Sequence, residues 1–174
     1  MVDSKRKGSS NEKEIARLLT NWITGKPKPE IFWKIGSSGS KFTQDIKHNV
    51  VGSMSGDIVA IDEKGAILTN KFSIECKHYK TCDFLPLLRG NGDVLKWWQQ
   101  CYNDAVEANK HPMLIFKRNN FERIIGLPFN YESFFQHEPK IMFKNDLYNV
   151  VFVLFNNFLK YNYKQFMNFG KNIC

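Results

Sequence analysis

A chain of 174 residues, 43% of them hydrophobic, is long enough to bury one sizeable core, and its formal charge of +8 favours partners that carry negative charge, nucleic acid among them. No apolar run approaches the roughly 20 residues that cross a bilayer, and the polar, basic start of the chain is unlike a signal peptide, so the composition predicts an intracellular, soluble protein without a membrane segment. The four cysteines show no close pair of the kind that structural zinc sites use and the four histidines are scattered in the same way, which argues against a zinc site and leaves carboxylates to hold any metal.

Residues 1–8 read as a flexible basic arm, and residues 9–174 as a single domain. Ser9 followed three residues later by Glu12 makes a capping-box pattern, and Ile15, Leu18, Leu19 and Trp22 recur at the spacing of one buried helical face. Gly25 and Pro27 end that helix. Residues 31–35 predict a short strand, and Gly36, Ser37, Ser38, Gly39 and Ser40 a loop of small residues. Residues 57–62 and 66–78 read as two strands, interrupted near Asn70 and joined by a turn at Glu63, Lys64 and Gly65, which predicts a hairpin or meander. A helix follows over 93–109, with Leu95, Trp98, Cys101, Tyr102, Ala105 and Val106 spaced to face a core and His111-Pro112 closing it. Strands over 113–117, 123–127 and 149–155 and a helix over 157–167 complete the pattern. Strands interleaved with helices predict a mixed α/β domain.

The chemistry concentrates in Ser55-Gly56-Asp57-Ile58-Val59-Ala60 and Phe72-Ser73-Ile74-Glu75-Cys76-Lys77. Side chains alternate along a strand, so Glu75 and Lys77 share one face while Ile74 and Cys76 point the other way. If the strand bearing Asp57 lies beside the one bearing Glu75, two carboxylates converge, as a hard cation such as magnesium requires, and the Cys76 backbone carbonyl adds another oxygen. A metal held there would polarise a phosphate and acidify a water, with the Lys77 ammonium orienting that water and offsetting developing negative charge. The plainer alternative is an aspartate opening a strand beside a solvent-facing Glu75–Lys77 pair, but the combination of all three in two apolar strands favours a site.

Gly56-Asp57 with Glu75-Cys76-Lys77 resembles the PD-(D/E)XK nuclease superfamily, with Gly in place of the usual Pro. More narrowly, Lys7-Gly8-Ser9-Ser10-Asn11-Glu12 ahead of an amphipathic helix, then Ser37-Ser38-Gly39-Ser40, then the motif, resembles the archaeal-type Holliday junction resolvases in the order of all three blocks. The resemblance covers about residues 5–80; the gap between Ser40 and Asp57 is longer than in those enzymes, and the chain from Phe84 onward does not match them well. It implies a restriction-endonuclease-like fold, a central mixed β-sheet flanked by helices, with Mg2+ as cofactor and Mn2+ able to substitute. It also implies that Glu12 is a further acidic group near the metal and that Ser38 or Ser40 touches the scissile strand. Glu12 alone reads equally well as a helix-capping residue.

Lys7, Ser38, Ser40, Lys41 and Lys80 are candidate DNA contacts, and Lys34, Lys47, Lys71 and Arg89 add to a basic surface around the motif. Trp97 and Trp98 read as core rather than base-stacking platforms. Either glutamine beside them could look back into the site, Gln99 being the named candidate for a supporting role. The sequence thus predicts a magnesium-dependent DNA endonuclease, structure-selective in the manner of a junction resolvase and working as a homodimer. The rivals are a restriction-like, nicking or exonucleolytic enzyme acting on linear DNA, and a non-catalytic DNA-binding module.

Overall fold

The computed structural model describes residues 4–26, 31–35 and 50–169, with side chains from Gly8 onward. Helix α1 (Ser4–Thr24) opens the chain and already begins inside the segment read as an arm. The Ser9 to Glu12 pattern is therefore internal to the helix rather than at its start. Lysine and arginine favour helix almost as well as alanine does, so Lys5, Arg6 and Lys7 extend it past the expected boundary.

Two short antiparallel strands follow, β1 (Phe32–Lys34) and β2 (Ile58–Ala60), with Lys34 opposite Ile58. The next segment corrects the hairpin expectation. Residues 63–69 form helix α2 (Glu63–Thr69), where the sequence predicts a turn and the start of a strand. Its start is set by Asp62, whose side chain accepts the Lys64 N–H at 2.8 Å, and Gly65, Ala66, Leu68 and Thr69 are buried at helical spacing. Gly65 is needed where α2 meets β1, because a Cβ there would lie 2.6 Å from the Ile31 carbonyl oxygen. With a helix between them, β2 and β3 (Phe72–Tyr79) run parallel, bridged at Gly56 and Ile74.

Helix α3 (Asp93–Glu107) carries the chain from β3 back to β4 (His111–Arg118), which pairs with β3 in parallel register, Glu75 opposite Leu114 and Lys77 opposite Phe116. His111 and Pro112, read as the end of the helix, belong to β4. Strands β5 (Ile124–Pro128), β6 (Lys140–Lys144) and β7 (Asn149–Leu154) are antiparallel additions, giving a five-stranded mixed sheet in the order β3-β4-β5-β7-β6. Strand β6 escapes a reading by alternation because Ile141 and Met142 are both exposed at the sheet edge.

One face of the sheet packs under α1, α2 and the last helices, α4 (Phe155–Phe158) and α5 (Tyr163–Phe169), which replace the single helix expected over 157–167. The phenylalanines of this end are core: Phe158 lies 4.6 Å from Trp22 and 5.0 Å from Phe166, ring centre to ring centre, and all but the partly exposed Trp22 are sealed from solvent. The other face is covered by α3 through Val94, Leu95, Trp97, Trp98, Cys101 and Ala105. Val106, expected inside, is exposed. The architecture is α/β, a mixed sheet flanked by helices, as the sequence predicts. Among the described residues no helix is long and apolar enough to cross a membrane, and Cys76, Cys82 and Cys101 are free thiols.

Candidate active site

Strand β3 is an edge strand of the large sheet, and beyond the Gly56–Ile74 bridge its outer edge diverges from β2. The Asp57 N–H donates to the Ile74 carbonyl at 2.7 Å, and the Asp57 side chain then replaces the missing strand by accepting the Cys76 N–H through Oδ2 at 2.7 Å. Because N–H and C=O of one strand residue point to the same edge, the Cys76 carbonyl also faces Asp57. Gly56 makes this approach possible. Its φ is +81°, and a Cβ there would sit 2.5 Å from the Ile74 oxygen.

Glu75 and Lys77 share the α3 face of β3. Lys77 Nζ donates to Glu75 Oε1 at 2.6 Å and to Gln100 Oε1 at 3.1 Å, while Gln100 Nε2 donates to the same Glu75 oxygen at 3.2 Å. The glutamine of α3 that reaches the site is thus Gln100, not Gln99. Helix α3 runs antiparallel to β3, so Trp97, Gln100 and Asp104, three and four residues apart, face the strand in turn. Gln99 lies about 100° around the helix from that line. Trp97 and Trp98 are buried.

The charges in this corner constrain one another. Burial pushes the Asp57 carboxyl up to about 6, helped by Glu12 and Asp104 and opposed by the Cys76 hydrogen bond and Lys77. Burial and the Asp57 charge raise Glu75 as well, against the pull of Lys77. Glu12 is raised by burial and by Glu75, with Lys34 and Lys77 pulling the other way. For Lys77 burial favours the neutral amine, but Glu75 and Asp57 outweigh it and hold the ammonium above its ordinary range. The fold therefore brings Glu12, Asp57, Glu75 and Lys77 within electrostatic reach of each other. Lys34 on β1, which the sequence reading gives only as part of a basic surface, and Asp104 on α3, which it does not name, belong to the same field. Their contribution depends on where β1 and α3 dock, which no local pattern encodes.

Lys80 is exposed just beyond β3. The side chain of Lys7, and Ser38, Ser40 and Lys41 altogether, lie outside the described residues.

Asp57 Oδ1 and Glu75 Oε2 accept no hydrogen bond from any described residue, and both carboxyls are held above their ordinary pKa, first by burial and then by neighbouring carboxylates, Glu12 and Asp104 for Asp57 and Asp57 for Glu75. Two oxygen donors whose charges repel in a partly dry corner fit a hard divalent cation, since the ion relieves the cost that raises both groups. No cluster of three His, Cys, Asp or Glu side chains at metal-binding spacing occurs among the described residues, so the Cys76 carbonyl and the substrate itself would have to complete the shell.

A family model described as phage putative PDDEXK endonuclease matches residues 3–168. Protein D14 of Escherichia phage T5 is 28% identical over 128 residues, covering 72% of this chain and 71% of that protein. No solved structure gives a significant match. The family match spans nearly the whole chain and takes in the corner where Gly56-Asp57 meets Glu75-Cys76-Lys77, and the chain belongs to this phage PDDEXK endonuclease family.

Proposed function

We propose that this protein is a magnesium-dependent DNA endonuclease that hydrolyses phosphodiester bonds at the corner formed by Asp57, Glu75 and Lys77. The observation that carries the reading is that Asp57, at the start of β2, and Glu75, on β3, each keep one carboxylate oxygen that accepts no hydrogen bond from the described residues, beside a protonated lysine. A divalent cation bound there supplies Lewis-acid charge at the phosphate and activates the attacking water. Asp57 and Glu75, with the Cys76 carbonyl, hold it, and Glu12 adds negative charge from α1. Lys77 stays an ammonium at neutral pH, so it serves as charge stabiliser and water-orienting donor rather than as a base. Gln100 fixes the positions of Glu75 and Lys77. Lys34 and Lys80, with Lys7, Lys41, Ser38 and Ser40, hold the DNA backbone.

Branched DNA is the substrate this reading favours, with a homodimer cutting opposed strands, on the strength of the resemblance of the Lys7–Glu12 and Ser37–Ser40 blocks to junction resolvases. The phage family and its relative in phage T5 suit an enzyme acting on DNA in an infected cell. Incubation with labelled four-way junction, flap, single-stranded and linear duplex DNA, with and without Mg2+ or Mn2+, tests every part of this. Junction cleavage into paired nicks with linear duplex intact supports the proposal. Equal digestion of linear duplex removes the resolvase reading, and no metal-dependent cutting of any substrate removes the nuclease.

Two smaller effects follow from the geometry. Gln100→Ala should lower turnover about tenfold, the usual scale for a residue that orients a metal-site ligand, while Gln99→Ala leaves it near the parental value. A reversed order of the two variants, measured in the same cleavage assay, would misplace the supporting residue. The pH dependence has a definite sign. Asp57 takes up a proton below about 6, so apparent metal affinity should fall about tenfold for each pH unit below that point, and more steeply if Glu75 titrates with it. Titration of cleavage against metal concentration at pH 5.0, 6.0 and 7.5 checks this, and a flat affinity would contradict it.

A further inference from the structure

Glu75, Lys77 and Tyr79 occupy alternate positions of β3 and so share one face of the strand, each about 7 Å from the next. The first two make the proposed reaction corner. The third closes the strand and is 47% exposed, where the strand emerges from the core. Its ring is not loose: it stacks on Trp97 with centroids 4.6 Å apart and planes 27° from parallel. Trp97 in turn is 94% covered and packs against Phe116 at 5.6 Å, so one face of Tyr79 is backed by the core while the rest of the side chain meets solvent. The next residue, Lys80, is exposed, and places a cation beside this surface.

We propose that the Tyr79 ring, braced by Trp97, is a stacking platform for an unpaired nucleobase next to the scissile phosphate, which makes DNA with unpaired nucleotides at the cut the preferred substrate class. This rests on the nuclease reading of the same corner and sharpens it. A phosphate held at Lys77 places a neighbouring nucleotide within reach of Tyr79, two residues along the strand. A base in a continuous duplex has both π-faces already occupied by its neighbours, whereas an unpaired base at a branch, flap or single strand has one to offer. The tyrosine is pre-ordered by Trp97 and loses little freedom on binding, and a ring contact of this kind is indifferent to base identity.

The test uses the full chain and a single-stranded oligonucleotide carrying 2-aminopurine at successive positions, bound in EDTA so that nothing is cut. One position should show strong fluorescence quenching with the parent protein and with Tyr79→Phe, and the quenching should disappear in Tyr79→Ala. In magnesium, Tyr79→Ala should lower the ratio of kcat/KM on flap DNA to kcat/KM on linear duplex by between about five- and a hundredfold, the loss falling on KM, with Tyr79→Phe restoring it. Quenching that survives in Tyr79→Ala, or an equal loss on both substrates, overturns the platform. The two readings fail separately. Tyr79-dependent quenching without cleavage of any DNA would leave the platform standing and remove the nuclease, while cleavage with quenching indifferent to residue 79 would do the opposite. Far-ultraviolet circular dichroism of both variants guards against a folding defect, and Tyr79→Phe keeps the ring stack if Tyr79→Ala loses the fold.

Discussion

Asp57→Asn should abolish metal-dependent cleavage, a fall of at least about a thousandfold in turnover, and at the same time make the metal-free protein more stable at neutral pH. The first effect follows from removing one of two carboxylate charges that face the cation. The second follows from the cost of holding that charge without one. In the fold the Asp57 carboxyl titrates at about 6 rather than 3.8, so the folded chain binds its proton more tightly than the unfolded chain does. Its contribution to stability is intact below about pH 4 and is lost as the pH rises through about 6, when the buried group ionises beside Glu75 and Glu12. Asparagine is spared that loss and its side-chain oxygen still accepts the Cys76 N–H. At pH 7.5 in EDTA the variant should gain about 1–3 kcal/mol, and at pH 4 the gain should vanish. Saturating magnesium should raise the melting temperature of the parent and leave that of Asp57→Asn unmoved. Thermal melts across pH, with and without magnesium, read all of this at once, and a variant that melts below its parent at neutral pH would show that the buried charge carries no penalty.

Gly56→Ala is the second large effect, on stability and activity together. At φ +81° an alanine pays roughly 1–2 kcal/mol for a left-handed backbone, and its Cβ would fall 2.5 Å and 2.7 Å from the oxygen and nitrogen of Ile74. Those are backbone atoms in the sheet and cannot rotate away. The variant must push β2 off β3 and lose the bridge that delivers Asp57 to Cys76, at a total of about 3 kcal/mol or more. Displacing Asp57 by about 1 Å is enough for a hundredfold loss of turnover. Gly56→Pro should be no better, although proline is the residue usual in this motif, because its ring locks φ near −65°. Urea denaturation and cleavage rates check both variants, and parental values for either would mean that the parallel bridge between Gly56 and Ile74 does not position Asp57.

What the sequence discloses about this corner is what is local. The alternation of a strand puts Glu75 with Lys77 on one face whatever surrounds them, and Gly56-Asp57 ahead of Ile58-Val59-Ala60 announces a strand start. The mutual arrangement was another matter. A helix after Asp62 makes β2 and β3 parallel, and that helix was hidden because Ala66, Ile67 and Leu68 form an apolar run too short to distinguish helix from strand. Asp62 as a cap was the available signal. The choice between Gln99 and Gln100 turns on the rotation of α3 over the sheet, a packing outcome set by Trp97, Trp98 and Cys101 together. Strand β6, solvated on its edge and carrying lysine at both ends, offers no buried face for a pattern to reveal.

The hydrogen bond from Cys76 to Asp57 also bears on how an inert form of the protein should be made. That carboxylate caps the outer rim of β3, where the Cys76 amide sits nearly buried and has the Asp57 side chain as its acceptor. Alanine at this position removes the acceptor along with the charge and leaves a nearly buried amide unpaired, so it should lose stability as well as metal binding, and its silence in an assay would have two causes. Asparagine keeps the rim sealed and is the form to use for trapping an uncut substrate.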